Sequence, residues 1–121
     1  RIGGCATGQA VMTPAFNLGA RAIIHTVGPV WQGGDQDEAN LLRSCYSEAM
    51  TLAVREGFRT IAFPAISCGV YGYPKAQAVA VAVDEVERCL ESYLMFKRVV
   101  FACFDQSMAD LYRACLQNQA T

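Results

Sequence analysis

An α/β fold is predicted by two hydrophobic patterns that alternate along the 121 residues. Short apolar runs rich in β-branched or aromatic residues lie at 22–27, 60–66 and 98–104, and each precedes a longer segment whose apolar residues recur at three- and four-residue steps. Strands alternating with helices in this way form βαβ units, with helices on both faces of a mainly parallel sheet.

Taken in order, residues 1–8 contain Gly-Gly-Cys-Ala-Thr-Gly and read as a loop with no strand or helix to launch it. Residues 9–18 mix polar and apolar side chains without a clear period and are assigned no element. Ala22-Ile-Ile-His-Thr-Val27 reads as a strand, closed by the turn-forming pair Gly28-Pro29. Trp31-Gln-Gly-Gly-Asp-Gln-Asp37 is a loop. From 38 to 56, the spacing of Leu41, Leu42, Cys45, Met50, Leu52, Ala53 and Val54 predicts an amphipathic helix, with Gly57 placed to cap its end.

Thr60-Ile-Ala-Phe-Pro-Ala-Ile66 is the second strand. Pro64 has no N–H to give a neighbour, so it marks a sheet end or a bulge. The next helix starts near Pro74, which suits a first turn where the amide would be unpaired, and presents Ala76, Val79, Ala80, Val83, Val86 and Leu90 on one face. Arg98-Val-Val-Phe-Ala-Cys-Phe104 is the third strand. A closing helix runs from Ser107 to Leu116, with Asp105 or Ser107 as its N-cap.

A chain of this length makes one small domain, 1–121, with a core of its own. Hydrophobic residues are 53% and charged residues 17%, which is too apolar for a disordered chain. Ten Lys and Arg against eleven Asp and Glu leave a net charge of -1, with no basic surplus to favour nucleic acid. The apolar stretch 60–73 carries no charge, but it is interrupted by glycine and proline and is shorter than the about 18 to 20 residues that a membrane span needs. Residues 1–8 carry no signal-peptide pattern. The six cysteines form no Cys-x-x-Cys pair, and they read as reduced thiols of a cytoplasmic protein. With one histidine and no cysteine cluster, neither a zinc site nor a cofactor is expected.

The chemistry-bearing segment is Ser67-Cys-Gly-Val-Tyr-Gly-Tyr73, between a buried strand and a helix start. In open α/β sheets ligands bind at the carboxyl ends of strands, where the unpaired amides and positive dipole end of a helix attract anions. Gly69 and Gly72 allow the backbone to approach a ligand and to line up amides for phosphate oxygens, with Tyr71 and Tyr73 as aromatic walls. The loop lacks the Gly-Lys-Ser/Thr of a triphosphate-binding loop and the Gly-x-Gly-x-x-Gly of a dinucleotide fold. A structural turn would use the same two glycines. Cys68 has the position of an activated thiol, against the plainer reading of a small loop residue, and His25, inside a strand, is its one histidine partner. His25 itself reads as a satisfied core residue, Trp31 as packing, Glu85, Glu87 and Arg88 as a solvated helix face, and Asp35, Asp37 and Glu38 as acidic residues suited to a helix start.

Ala22-Ile-Ile-His-Thr-Val-Gly-Pro-Val-Trp31, Phe63-Pro-Ala-Ile-Ser-Cys-Gly-Val-Tyr-Gly-Tyr-Pro74 and Val99-Val-Phe-Ala-Cys-Phe-Asp105 together resemble the macro-domain family, closest to its mono-ADP-ribosyl hydrolase branch. The resemblance implies a three-layer α/β/α fold with a cleft for ADP-ribose or an ADP-ribosylated group. It maps diphosphate binding onto Ser67, Cys68, Gly69, Val70, Tyr71 and Gly72, chiefly through backbone amides, and places Phe104 near the adenosine. The activity it implies is hydrolysis of ADP-ribosyl groups on protein or of O-acetyl-ADP-ribose.

Set against that family, residues 1–121 are expected to be an N-terminally shortened macro domain. The early Gly-Asp-Ile segment, the strand ending Asn-Ala-Ala-Asn and a Gly-rich loop have no counterpart here, so no catalytic side chain is mapped. In the family that strand lies between those at 22–27 and 60–66. The expectation is therefore that these two strands close directly, that a second copy supplies the pairing in a homodimer, or that the chain is part of a longer product. Two functions stay open: an ADP-ribose-binding domain, and a non-catalytic assembly module.

Overall fold

The computed structural model describes residues 6–14, 22–68, 71–103 and 105–120. Four strands and three helices follow in the order β1 (Ala10–Pro14), β2 (Ala22–Thr26), α1 (Glu38–Arg55), β3 (Thr60–Phe63), α2 (Lys75–Ser92), β4 (Arg98–Phe101) and α3 (Gln106–Ala120). The α/β class expected from the alternation is the one found.

Helix α1 forms where its periodicity places it. Leu42, Cys45, Tyr46, Ala49, Met50 and Ala53 are all buried on one face. Its end is set by Gly57, at φ +78, which lets the Gly57 N–H reach the Val54 carbonyl and the Phe58 N–H reach that of Ala53. Helix α2 buries Ala78, Val79, Ala82, Val83 and Val86 and packs between α1 and α3. The expected face shared Val79, Val83 and Val86 with this one, but Ala76 and Ala80 lie outside it and are exposed. Pro74 stands one residue before the helix, at φ -58, rather than in its first turn. Of the two N-cap candidates for α3, Asp105 serves: its Oδ1 accepts from the Met108 N–H at 2.9 Å and from the Ser107 hydroxyl at 2.8 Å.

The strands pair as two separate ribbons. β1 runs antiparallel to β2, with Val11 opposite His25, and β3 runs parallel to β4, with Phe63 opposite Phe101. No ladder joins β2 to β3 among the described residues, so the direct closure of these strands does not occur. Strand β1 falls in the stretch given no element; its partner is β2, not anything in its own sequence. All three expected strands are shorter than the apolar runs that announced them. β3 stops at Phe63 because Pro64 has no N–H for the ladder. β4 stops at Phe101, and the Ala102 N–H turns to the Phe63 carbonyl at 2.7 Å.

The core lies between the helices and the β3–β4 ribbon. Leu42, Met50, Val83 and Met108 are fully buried, each stabilising the fold by roughly 1.5 to 3 kcal/mol. Tyr46 packs edge-on against Phe63, Phe63 faces Phe101, and Phe101 stacks on Tyr112 with centroids 4.6 Å apart. Glu85, expected on a solvated face, is buried at 2% exposure because its side of α2 meets α1. There it pairs with Arg88 at 3.0 Å and lies 3.8 Å from Arg43. Cys45, Cys68, Cys89, Cys103 and Cys115 are free thiols. No described helix is long and apolar enough to cross a membrane.

Candidate functional site

The carboxyl end of β3 leads through Pro64, Ala65 and Ile66 into loop 67–73, which ends at the start of α2. Of the residues mapped to a ligand, Ser67, Cys68, Tyr71 and Gly72 are described, while Gly69, Val70 and Phe104 lie outside the described residues. Two of the four have left-handed backbones, Ser67 at φ +67 and Gly72 at φ +73. For a residue with a Cβ this conformation costs on the order of 1 kcal/mol, and such strain is commonest at ligand-binding turns. The loop is closed across its base by the Tyr73 N–H, which donates to the Ser67 carbonyl at 3.0 Å, and the Cys68 N–H donates to the Ala65 carbonyl at 3.3 Å. The Tyr71 and Gly72 N–H groups donate to no acceptor among the described residues.

The loop opens onto the N-terminus of α2. Pro74 gives that end no side-chain cap, and no acidic residue stands in the first turn, so the positive end of the helix dipole meets no carboxylate of its own first turn. The other two helix starts differ. A carboxylate is already in place at each, Glu38 at α1 and Asp105 at α3. Lys75, first residue of α2, reaches across to Asp105 at 3.2 Å and to the Ser107 hydroxyl at 3.3 Å, so a cation sits at the rim between the two helix starts. The Met108 amide, the Ser107 hydroxyl and Lys75 together hold the Asp105 carboxyl below the usual carboxylate range.

The side chains of the loop divide between site and core. Tyr71 is 37% exposed and free to border a ligand. Tyr73, expected as a second wall, is instead buried, its ring against Trp31 with centroids 4.8 Å apart. Trp31 is the packing residue expected. Cys68 is buried, and burial pushes its thiol pKa up despite the opposing charge of Lys75, which is the reverse of an activated nucleophile. His25 is half-buried in β2. The Ser67 hydroxyl is buried with no hydrogen-bond partner among the described residues.

Sequence reasoning missed the contribution of the loop after β2. Gly28 lies against Ile66 and Ser67, and the Trp31 N–H donates to the Tyr71 carbonyl at 2.9 Å. Between the two loops a cleft of about 370 Å³ is bordered by Val30, Gln32, Gln36, Glu38 and Tyr71. Glu38 is the first-turn acid of α1 that was expected, and it is also buried: Oε2 accepts from the Gln32 and Gly34 N–H groups and Oε1 from that of Gln36. Burial works to raise its pKa, but the amides of Gln32, Gln36, Glu38 and Gly34 outweigh that and hold it below the usual carboxylate value. The signal available was its place directly after the glycine-rich loop.

Comparison with known proteins bears on the family and the fold. The O-acetyl-ADP-ribose deacetylase of Salmonella gallinarum is 52% identical over 117 residues, covering 97% of this chain and 65% of that protein. A macro domain-containing protein of Chlorobaculum tepidum is 47% identical over 115 residues, 95% of this chain and 67% of its own length. Among solved structures, the Oceanobacillus iheyensis macrodomain with ADP superposes with a TM-score of 0.90 at 34% identity, covering 95% of this chain and 60% of that one. The Trypanosoma brucei macrodomain in complex with ADP-ribose gives 0.86 at 37% identity, over 93% and 47%. The chain thus spans 65% of the length of the deacetylase it matches. The model of the macro domain matches residues 1–82, and the chain belongs to the macro domain family.

Proposed function

We propose that this chain binds ADP-ribose, or the ADP-ribose part of a larger molecule, by holding its diphosphate at the N-terminus of α2. The observation that carries this reading is the contrast among helix starts: α1 and α3 meet carboxylates of their own chain, whereas α2 has neither a side-chain cap nor a first-turn acid. A diphosphate there is stabilised by the helix dipole and by the loop amides. Ser67, Cys68, Gly69, Val70, Tyr71 and Gly72 make up the proposed diphosphate contacts, with Phe104 beside the adenosine.

The reaction served is proposed to be the one its relatives are named for, hydrolysis of O-acetyl-ADP-ribose or of a similar ADP-ribosyl ester. Water adds to the ester carbonyl carbon, the bond from that carbon to the ribose oxygen breaks, and the proton from water ends on the released hydroxyl. For residues 1–121 the proposal is binding; no described side chain is assigned the acid–base role, and hydrolysis is proposed for the protein as a whole. A single macro domain, a cytoplasmic location, association of two copies and no role for nucleic acid belong to the same reading.

Calorimetric titration with ADP-ribose tests it. The protein should bind with a dissociation constant below about 1 mM, and Gly72→Val should weaken this at least about tenfold, because Gly72 is at φ +73. Absence of binding by the wild type contradicts the proposal. Light scattering should give twice the 13.1 kDa of one chain; a monomer mass would remove the two-copy element alone.

A further inference from the structure

One buried carboxylate is connected, step by step, to the loop that holds the ligand. Glu38 is 1% exposed, and its two oxygens accept three backbone N–H groups, from Gln32 at 2.8 Å, Gly34 at 3.1 Å and Gln36 at 2.7 Å. A carboxylate has about four acceptor positions, so three are filled by one short stretch of backbone folded around it. Trp31 enters that stretch directly before Gln32. Its N–H donates to the Tyr71 carbonyl at 2.9 Å, and its ring packs on Tyr73. On the other side a Cβ on Gly34 would lie 3.1 Å from Trp31 Cη2, so the backbone that Glu38 holds also backs the indole. Trp31 is clamped between the two loops.

We infer that Glu38 is a positioning residue for the ligand loop: its carboxylate shapes the backbone that holds Trp31, and Trp31 fixes Tyr71 and Tyr73 in the conformation that binds. This rests on the ADP-ribose reading above. Glu38 touches no ligand in this scheme. It acts through a chain of contacts, Glu38 to Gln32 and Gly34, then Trp31, then Tyr71.

The only tryptophan of the chain stands in the middle of that path, so its fluorescence reports on the path without any label. Glu38→Gln keeps the size of the side chain but replaces one acceptor oxygen by an NH₂ group that faces N–H donors. In the ligand-free variant the Trp31 emission should shift, and the dissociation constant for ADP-ribose should rise about tenfold, as loss of a charge-assisted bond implies. The far-ultraviolet circular dichroism should stay that of the wild type. Glu38→Asp, which keeps a carboxylate, should bind more tightly than Glu38→Gln. Binding by Glu38→Gln within about twofold of the wild type, or an unchanged emission, overturns the inference. Where Glu38→Gln fails to fold, Trp31→Ala decides by calorimetry: weakened binding supports the inference and binding within about twofold overturns it. A wild type that does not bind ADP-ribose sinks the parent reading instead, and this is seen before any variant is made.

Discussion

Gly28 and Ser67 touch so closely that a Cβ on Gly28 would lie 2.2 Å from the Ser67 hydroxyl oxygen, with Ile66 Cγ2 at 2.6 Å. Because β2 and β3 share no ladder among the described residues, this contact and the bond from Trp31 to Tyr71 are where the loops after those two strands meet. It also presses on a residue already in a left-handed backbone, Ser67 at φ +67.

Gly28→Ala should therefore lower stability by roughly 1 to 3 kcal/mol and weaken ADP-ribose binding together, read by chemical denaturation and calorimetry. Gly57→Ala is the contrast. Nothing lies within 4 Å of a Cβ at Gly57, so its cost is the left-handed backbone alone, about 1 kcal/mol, and binding should not change.

Ser67→Ala separates stability from binding. Its hydroxyl is buried without a partner among the described residues, an arrangement that costs on the order of 1 to 3 kcal/mol. The variant should be at least as stable as the wild type in denaturant, and a loss of ADP-ribose affinity would then assign the hydroxyl to the ligand.

Acid should loosen both helix starts that carry carboxylates. The pKa values of Glu38 and Asp105 are lowered in the folded chain, so their stabilisation is present above the ordinary carboxylate pKa near 4 and is lost as pH falls through the lowered native values. Trp31 emission followed from neutral pH downward should change in that acid window, and the change should come at higher pH in Asp105→Asn.

Cys68 should react slowly with iodoacetamide at neutral pH, since burial raises its thiol pKa, and quickly after unfolding. Cys68→Ala should keep any turnover of O-acetyl-ADP-ribose. Loss of turnover with binding intact would revive the thiol reading.

What the sequence revealed and what it hid have physical causes. Helix α1 was legible because its large apolar residues fix the phase and Gly57 marks the end. Helix α2 was legible in extent but not fully in phase: its run of alanine and valine is apolar on most sides, and contact with both α1 and α3 decides that Ala78 and Ala82 are buried while Ala76 and Ala80 are not. Strand β1 is specified by its pairing with β2, which no local pattern encodes. The loop proposed to hold the ligand stood out through its glycines. Gly28, Trp31 and Glu38 did not, because what joins them to that loop is contact between segments that lie far apart in sequence. Tyr73 and Glu85 show the same gap from the other side, an aromatic read as a wall and an acid read as solvated, both buried by neighbours from another element.

The most direct test of diphosphate binding at α2 is calorimetric titration of the protein with ADP-ribose alongside AMP, which keeps the adenosine and one phosphate but lacks the second phosphate and the distal ribose. The account predicts saturable one-to-one binding of ADP-ribose and at least about tenfold weaker binding of AMP. Equal affinity for the two, or no heat with ADP-ribose, would contradict it.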